Sequence, residues 1–405
     1  RQENQPFFHV YNMYESHESR LHRPLKNRMH DPSKVRLPPY HPDTPEIRDD
    51  WALYYDRITQ MDHLVGQKLA ELKTANALEN TIIFYYSDHG GALARSKRFL
   101  YDTGTKIPLM VHVPDKFRHL LPYKMGNRTD RIVDIVDLAP TIFHLAGIKQ
   151  PVHMHGKNIF STALKNNKPY SYLYRGRMDV RIDLVRALRD KQFKYIRNYM
   201  PHRPNGQHLA YLWKAASVRS WQKTCQEGLC NPSQQRFWQT RQAEELYDTT
   251  NDPWEVNNLA NDPNFQYQLT SMRKDLQATN RYFKDVGFIP EGELIERTKK
   301  ITGYELVRKS SFPIDLVIET AEIASLADPK KLSLLIKRLS HTEAVVRYWA
   351  AVGCSILKSQ SMPAKNALIE RLDDTSADVK IAAAEALSYL GAEEKALSVL
   401  MLQLK

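Results

Sequence analysis

The feature that most constrains the fold of this sequence is a continuous apolar run, T-I-I-F-Y-Y at 81–86, which ends in S-D-H-G at 87–90. Runs of β-branched and aromatic residues are typical of a strand covered on both faces in a parallel sheet. Apolar spacing predicts a helix over 48–72, then a strand at 107–113 and a helix within 132–146. This alternation predicts an α/β domain with a mostly parallel sheet sandwiched by helices.

The first residues add two further elements. Residues 5–12, Q-P-F-F-H-V-Y-N, combine aromatic and β-branched side chains and predict a short buried strand. Residues 15–45 are rich in proline and predict a long loop, a kind of segment that in compact domains usually lines a functional site.

Beyond residue 147 the pattern indicates a smaller α+β subdomain. Apolar segments at 184–188 and 193–196 flank R-D-K-Q, which predicts a β-hairpin. A short strand at 244–246 and a helix at 266–283 complete this subdomain.

An internal repeat marks the C-terminal region. Val346-Arg347 followed by Ala350-Ala351 recurs as Val379-Lys380 followed by Ala383-Ala384, an offset of 33 residues from position 346 to position 379. Helix pairs with small residues at this period are typical of an α-solenoid of HEAT type. We therefore predict three regions: the α/β domain at 1–165, the subdomain at 166–290 and HEAT-like helical repeats at 313–405.

The net charge of +12 suits a protein whose field attracts an anionic substrate. Arginine and lysine are dense between 175 and 203, although a solvated basic surface without a special partner is the alternative. Zinc-finger, ribonucleoprotein and basic-zipper patterns are missing from the sequence, so we predict no nucleic-acid partner. No apolar run reaches ~18 residues, so we predict no membrane span.

The cysteines divide into a pair and a single residue. Cys225 and Cys230 are close enough in sequence for a small disulfide loop, which would fit an oxidising compartment. Cys354 lies in an apolar helical run and is predicted to be a buried core residue.

Asp88 and His89 directly follow the predicted strand. Ligands of open α/β sheets collect at the carboxyl ends of strands. A carboxylate suits Ca²⁺ or Mg²⁺, and an imidazole extends the choice towards Mn²⁺ or Zn²⁺. Taken alone, however, such an Asp is more often a helix cap or a turn former.

A second motif sharpens this interpretation: residues 97–109 read K-R-F-L-Y-D-T-G-T-K-I-P-L. Together with S-D-H-G, it resembles the sulfatases of the alkaline-phosphatase superfamily, which carry S-D-N-G or S-D-H-G and then K-x-x-L-Y-E-x-G-x-x-V-P-L. Segments at 16–19, 133–141 and 245–259 resemble further sulfatase runs, among them D-L-x-P-T and E-L-Y-D-x-x-x-D-P-x-E-x-x-N-L. These matches extend over residues 5–290.

The resemblance is greatest to bacterial heparan N-sulfatase-like (sulfamidase-like) members, some of which carry HEAT repeats behind the catalytic domain. Residues 1–165 would then be the C-terminal portion of the sulfatase α/β catalytic domain, and 166–290 its smaller subdomain. The resemblance also implies a periplasmic or secreted location.

Roles follow from the resemblance residue by residue. Asp88 and His89 would be two ligands of a divalent metal, with Ca²⁺ expected and Mg²⁺ or Mn²⁺ as alternatives. Lys97 would contact the sulfate, a role that suits a fixed cation. His17 would hydrogen-bond the sulfate or protonate the leaving oxygen, a role that suits a group titrating near neutrality.

Two further residues are predicted from the basic segment rather than from a motif. Arg177 and His202 would bind the anionic substrate, because they lie in the dense basic stretch near the expected active-site face. Salt-bridged surface and a turn are the alternative interpretation.

The family's nucleophile is a Cys or Ser in C/S-x-P/A-x-R that is converted to formylglycine. Residues 230–234, C-N-P-S-Q, have Gln where this motif needs Arg, so we reject them as the nucleophile segment. The motif and the remaining metal ligands would lie upstream of residue 1. We therefore expect the chain to be a fragment that is inactive alone, with formylglycine only in the missing region.

The predicted function is hydrolysis of a sulfuric ester, O- or N-linked, on a sulfated carbohydrate. One alternative is a phosphonate or phosphodiester hydrolase of the same superfamily, in which the His form at position 89 is common. The other is a non-catalytic interaction protein whose helical repeats bind a protein partner.

Overall fold

The computed structural model describes residues 5–124, 126–161 and 168–403. The chain forms two compact units, one from residues 1–169 with 208–235 and the other from 170–207 with 236–405. The predicted boundary between residues 165 and 166 lies outside the described residues. The division into three regions therefore stays a prediction.

A long helix dominates the first unit and confirms the prediction over 48–72. This helix, α2 (Pro45–Thr74), begins where the Thr44 hydroxyl accepts a hydrogen bond from the Ile47 backbone N–H, with a proline at its first position. The other helices and strands of this unit are α1 (Glu18–Leu21), β1 (Ile83–Tyr86), α3 (Asp102–Thr105), β2 (Leu109–His112), α4 (Leu138–Leu145), α5 (Ala216–Gln226) and α6 (Pro232–Gln235).

Strands β1 and β2 pair antiparallel, with Ile83 opposite His112 and Tyr86 opposite Leu109. Both strands are predicted from the sequence, but the parallel pairing expected there is wrong for this pair. Parallel neighbours need a crossover connection, usually a packed helix. Here the connection is a loop that contains both polar motifs and the single turn α3, and it returns the chain directly.

The predicted strand at 5–12 is wrong. These residues form no strand, and Phe8 is 71% exposed. A strand needs a hydrogen-bonded neighbour, and none of the described strands pairs with this segment. Aromatic content alone therefore did not identify a strand here.

The second unit contains an antiparallel sheet with the strand order β3-β4-β5-β6. The predicted hairpin is confirmed as β4–β5, with Arg189 opposite Lys194, and the predicted helix over 266–283 is α7. Apolar residues of α7 pack on the sheet around Leu188 and Leu246. The bounds are β3 (Ser171–Arg175), β4 (Val185–Arg189), β5 (Phe193–Asn198), β6 (Glu244–Asp248) and α7 (Gln266–Phe283).

The predicted repeat is visible in the packing of the remaining helices. Val346 and Val379 are both fully buried, and so are Ala350 and Ala383. Residues 33 positions apart thus occupy equivalent places in stacked helices. The helices that follow α7 are α8 (Glu291–Arg297), α9 (Gly303–Leu306), α10 (Ile314–Ser325), α11 (Leu332–Leu339), α12 (Ala344–Leu357), α13 (Lys365–Glu370), α14 (Ala377–Ser388) and α15 (Glu393–Gln403).

The helical repeats share one apolar core with the subdomain. Tyr199 and Phe288 belong to the same buried cluster as Val317 and Trp349. The Trp349 Nε1–H donates a hydrogen bond to the Phe288 carbonyl at 2.8 Å. The repeats are therefore packed into the second unit rather than attached to it by a linker.

A buried polar network reinforces this packing. Arg197 of β5 is 1% exposed, and its Nη2 donates to the Ser325 hydroxyl at 2.6 Å and to the Glu322 carbonyl at 2.9 Å, both on α10. Its guanidinium also lies 3.5 Å from the Glu322 carboxylate. Because a buried charge is costly unless it is paired and hydrogen-bonded, this strand depends on α10.

Cys225 and Cys230 form a disulfide with their Cα atoms 4.7 Å apart, and Cys354 is buried, as predicted. None of the described helices is both long and apolar enough to cross a bilayer.

Candidate active site

Backbone hydrogen bonds hold the loop after β1 to the turn at α3. The Gly90 N–H donates to the Gly104 carbonyl at 2.9 Å, and the Gly91 N–H donates to the Thr103 carbonyl at 2.8 Å. The Lys97 N–H donates to the Gly91 carbonyl at 2.9 Å. The two sequence motifs therefore form one folded unit, residues 87–105, which we call the site loop.

Two glycines of the site loop are required by close backbone approach. A Cβ atom added at Gly90 would lie 2.2 Å from the Thr103 carbonyl oxygen. At Gly104 it would lie 2.2 Å from the Ser96 carbonyl oxygen. Only a residue without a side chain fits either position, which gives a steric reason for the glycines in both motifs.

Aromatic packing anchors the site loop. Phe99, Leu100 and Tyr101 are buried, and the Arg95 guanidinium lies 3.6 Å from the centre of the Tyr101 ring. Arg95 and Arg98 both adopt positive φ angles, of 67° and 80°. Non-glycine residues are rarely stable there, so the buried anchors are needed to hold this turn.

His17 reaches the site loop from the start of α1. It caps this helix, with its Nδ1 accepting a hydrogen bond from the Ser19 backbone N–H at 3.2 Å. Its Nε2 lies 3.3 Å from Nζ of Lys97, although the two residues are 80 positions apart in sequence. The two residues that the resemblance assigns to the sulfate therefore lie side by side.

Glu18 is a member of this cluster that the sequence analysis missed. Its side chain is 2% exposed and accepts a hydrogen bond from Arg98 Nη1 at 3.0 Å. A second carboxylate oxygen lies 3.9 Å from Nζ of Lys97. In the segment S-H-E-S at 16–19 the family resemblance implies a role only for the histidine. The local pattern does not predict that the glutamate is buried beside two cations.

Burial lowers the pKa of His17, and the neighbouring Lys97 ammonium lowers it further, while Glu18 acts in the opposite direction. Protonation of the imidazole would place a second positive charge next to the first. His17 is therefore neutral near pH 7, with one ring nitrogen facing a cation.

Asp88 and His89 can supply part of a metal site. Asp88 Oδ1 and His89 Nε2 are 3.8 Å apart. His89 Nδ1 lies 2.9 Å from the Gly90 carbonyl, so a proton on Nδ1 is donated there and Nε2 keeps its lone pair. A carboxylate and a neutral imidazole fit a divalent cation. Among the described residues, no group of three potential His, Cys, Asp or Glu ligands comes together.

Arg177 and His202 both belong to the second unit and already have carboxylate partners. Arg177 Nε lies 2.5 Å from the Glu291 carboxylate, and the Arg177 side chain is 49% exposed. The His202 side chain is 3% exposed and lies 3.5 Å from Glu385. Their predicted contacts with substrate stay a prediction.

Comparison with known proteins supports the resemblance. Residues 1–148 match the Sulfatase family model, so this part of the chain is similar to the sulfatases. Residues 93–208 match the model of the N-sulphoglucosamine sulphohydrolase C-terminal region. Residues 317–388 match HEAT repeats. The predicted sulfatase resemblance, α/β class and helical repeats are therefore confirmed.

Curated relatives agree. An ulvan-active sulfatase of Formosa agariphila is 32% identical over 334 residues, covering 73% of this chain and 55% of that protein. The human N-sulphoglucosamine sulphohydrolase is 28% identical, covering 61% of this chain and 51% of that protein. A putative sulfatase structure from Bacteroides thetaiotaomicron superposes with a TM-score of 0.45 at 21% identity, covering 60% of this chain and 45% of that chain. The chain spans about half the length of the curated relatives it matches.

Proposed function

We propose that this protein acts as a sulfuric ester hydrolase, removing O- or N-linked sulfate from a sulfated carbohydrate. The observation that carries the proposal is the contact between Lys97 and His17, 3.3 Å apart and within electrostatic range of Asp88 and His89. Relatives named as an ulvan-active sulfatase and an N-sulphoglucosamine sulphohydrolase support a sulfated sugar as substrate.

The residues of the site suit sulfuryl transfer. The Lys97 ammonium would stabilise negative charge on the sulfate oxygens, a fixed contribution that needs no reorganisation during reaction. His17 is neutral beside that ammonium, and an anion bound between them would favour its protonated form. His17 would then donate a proton to the leaving oxygen or nitrogen. Glu18 would position both groups from its buried place behind them.

The sulfatase family generally uses a divalent metal and a formylglycine nucleophile. In this chain Asp88 and His89 would hold part of the metal site, with Ca²⁺ proposed and Mg²⁺ or Mn²⁺ as alternatives. When bound, such a cation withdraws charge from the sulfate oxygens. The Cys230 sulfur is bonded to Cys225 and is unsuited to the nucleophile's role.

The same disulfide supports the proposed periplasmic or secreted location, because small disulfide loops persist in oxidising compartments. A protein partner of the helical repeats also stays a proposal, supported only by the general use of such arrays as binding surfaces.

The test is release of inorganic sulfate by the native gene product from N-sulfated and O-sulfated glucosamine, with a phosphonate monoester as the competing substrate. We expect sulfate release, abolished by Lys97→Ala and strongly lowered by Asp88→Asn. Asp115→Asn, a change of another exposed aspartate, serves as the matched control. Faster turnover of the phosphonate would replace this proposal with the phosphonate hydrolase alternative.

A further inference from the structure

Three exposed tyrosines surround the C-terminal end of α7 in the second unit. Tyr282 is 76% exposed, Tyr174 72% and Tyr304 51%. Tyrosine carries a large apolar ring that is normally at least partly covered, and clustered exposed rings mark sites of interaction.

Ring contacts connect two of these tyrosines through partly buried neighbours. The Tyr172 ring lies 6.5 Å from Tyr174 and 5.3 Å from Phe283. The Phe283 ring lies 5.2 Å from Tyr282. The rings therefore form a continuous strip from the edge strand β3 to the end of α7.

Arg308 extends the strip to the third tyrosine. Its guanidinium lies 3.5 Å from the centre of the Tyr304 ring, and its Nη2 donates a hydrogen bond to the Phe283 carbonyl at 3.2 Å. Its Nη1 donates to the Tyr304 carbonyl, also at 3.2 Å. The strip and its cations together are the α7-end surface, made of Tyr174, Tyr282, Tyr304, Arg281, Lys284 and Arg308.

The cations of the α7-end surface differ from most basic residues of the stretch at 175–203. In the part of the chain that the structure describes, Arg281, Lys284 and Arg308 have no carboxylate within ion-pair distance. By contrast, Arg186 lies 2.5 Å from Asp285 and Lys194 lies 2.9 Å from Glu255. Most of the basic stretch is therefore neutralised, whereas the α7-end surface keeps its positive charge.

We propose that the α7-end surface is a second, non-catalytic binding site for the sulfated polysaccharide chain. Exposed aromatic rings stack on the apolar faces of sugar rings, and unpaired guanidinium and ammonium groups bind sulfate oxygens. A surface offering both, side by side, matches a polymer whose sugar rings alternate with fixed anions. The choice of a sulfated glycan rests on the proposed function. The site would hold the polymer without taking part in hydrolysis.

The test measures binding of the 405-residue chain to heparin and to dextran sulfate by titration calorimetry, with uncharged dextran as the control polymer. The double variant Tyr282→Ala/Tyr304→Ala keeps the net charge of +12. A loss of affinity in this variant therefore cannot come from weaker non-specific attraction between the protein and the anionic polymer. We expect about tenfold weaker binding, the effect of losing roughly one to two aromatic contacts. Tyr267→Ala, at the other end of α7 and 86% exposed, should bind as the parent does.

A second pair of variants tests the contribution of charge. Lys284→Gln should weaken heparin binding more than Lys274→Gln, an exposed lysine in the middle of the same helix. Parent-like heparin binding by the tyrosine variant would overturn the proposal, and so would equal binding of uncharged dextran. Tighter, tyrosine-dependent binding of single-stranded DNA or of phosphatidylserine vesicles would also overturn it, in favour of another partner.

Sulfate release from monomeric N-sulfated glucosamine, measured with the native gene product, separates this proposal from the proposed function. The tyrosine variant of that gene product should release sulfate from the monomer at the parental rate, while its KM for heparin rises. If the parental gene product releases no sulfate, the hydrolase proposal is rejected and the binding result is judged independently.

Discussion

The Nζ atom of Lys97 lies 3.3 Å from the His17 imidazole and 3.9 Å from the buried Glu18 carboxylate. One cation therefore lies within reach of both neighbours. The opposing effects of the two charged residues on His17 give predictions of opposite sign.

Replacing Lys97 by Met should raise the pKa of His17, because one of the charges that disfavour the imidazolium is removed. Burial, the larger cause, remains, so we expect recovery of only part of the lowering. The measurement is the pH titration of the His17 ring protons by NMR. Lys73→Met, in the last turn of α2, is the matched control, and an unchanged His17 titration in Lys97→Met would contradict the geometry.

Replacing Glu18 by Gln should lower the pKa of His17 further, since this carboxylate favours the charged imidazole. The substitution also removes the buried ion pair between Glu18 and Arg98, so we expect a loss of stability of about 2–4 kcal/mol. In the native gene product kcat should fall more than KM changes, because a positioning residue is disturbed. Glu15→Gln, in the same segment, controls for loss of an acidic group, and a parental pH profile in Glu18→Gln would reject the positioning role.

Gly90→Ala and Gly104→Ala should each disrupt the site loop, because the new methyl group would meet a carbonyl oxygen at 2.2 Å. We expect a destabilisation of about 2–4 kcal/mol, comparable to other strained or overpacked substitutions. Gly66→Ala is the control: a Cβ there meets no atom within 4 Å, and alanine should stabilise α2 by roughly 0.5–1 kcal/mol. Urea unfolding curves of the three variants test the contrast, and equal midpoints would contradict it.

The first unit should lose stability in acid because of His41. This buried ring accepts a hydrogen bond from Trp51 Nε1 at 3.0 Å, and burial followed by the nearby Arg95 lowers the pKa of His41 from 6.5 to about 3. In the unfolded chain His41 therefore binds a proton below pH 6.5, whereas in the folded chain it binds one only near pH 3. Stability from this group is complete above pH 6.5 and falls by a few kcal/mol as the pH drops towards 3.

Tryptophan fluorescence during urea unfolding at a series of pH values measures this dependence. His41→Gln should be less stable at pH 7 but show a shallower decline towards acid. His63→Gln, on the exposed side of α2, should keep the parental slope. A parental slope in His41→Gln would show that another group causes the acid sensitivity.

Trp349→Ala should destabilise the second unit by about 3–5 kcal/mol, because it empties the core shared by the repeats and the subdomain. Trp349→Phe should lower the free energy of unfolding by less, and the remaining loss would come from the Phe288 carbonyl, which no longer receives the Trp349 hydrogen bond. Hydrogen exchange should show that the subdomain sheet and the repeats lose protection together. Loss confined to the repeats would mean that they unfold independently.

Local elements of this fold were predictable from the sequence, and pairings between distant segments were not. The apolar spacing of α2 and α7 and the turn between β4 and β5 depend on nearby residues, so periodicity identified them. The direction of β2 relative to β1 and the exposure of Phe8 depend on which segments meet, information that no short window contains.

The candidate site shows the same division. The resemblance to the sulfatases predicts Asp88, His89, Lys97 and His17 as site residues; the structure brings His17 and Lys97 together, and the roles of all four stay a prediction. Glu18 was not predictable because the two cations that contact it, Lys97 and Arg98, come from the site loop, which is distant in sequence. The density of basic residues between 175 and 203 leaves an attractive field and a basic surface without a special partner as alternatives. In the structure Arg186 is buried against the Asp285 carboxylate, and charge density along the chain does not reveal such pairing.

The contacts of Arg197 with α10 also bear on how this architecture can change over time. Repeat arrays are often gained, lost or exchanged as modules between proteins. Here a strand of the subdomain carries a buried cation whose acceptors, Glu322 and Ser325, lie on the first repeat helix. A recombination that supplied a different array would remove the acceptors that Glu322 and Ser325 provide to this buried cation, at a cost of about 3–5 kcal/mol. The subdomain and its repeats are therefore expected to be inherited together, with Arg197, Glu322 and Ser325 varying as a set.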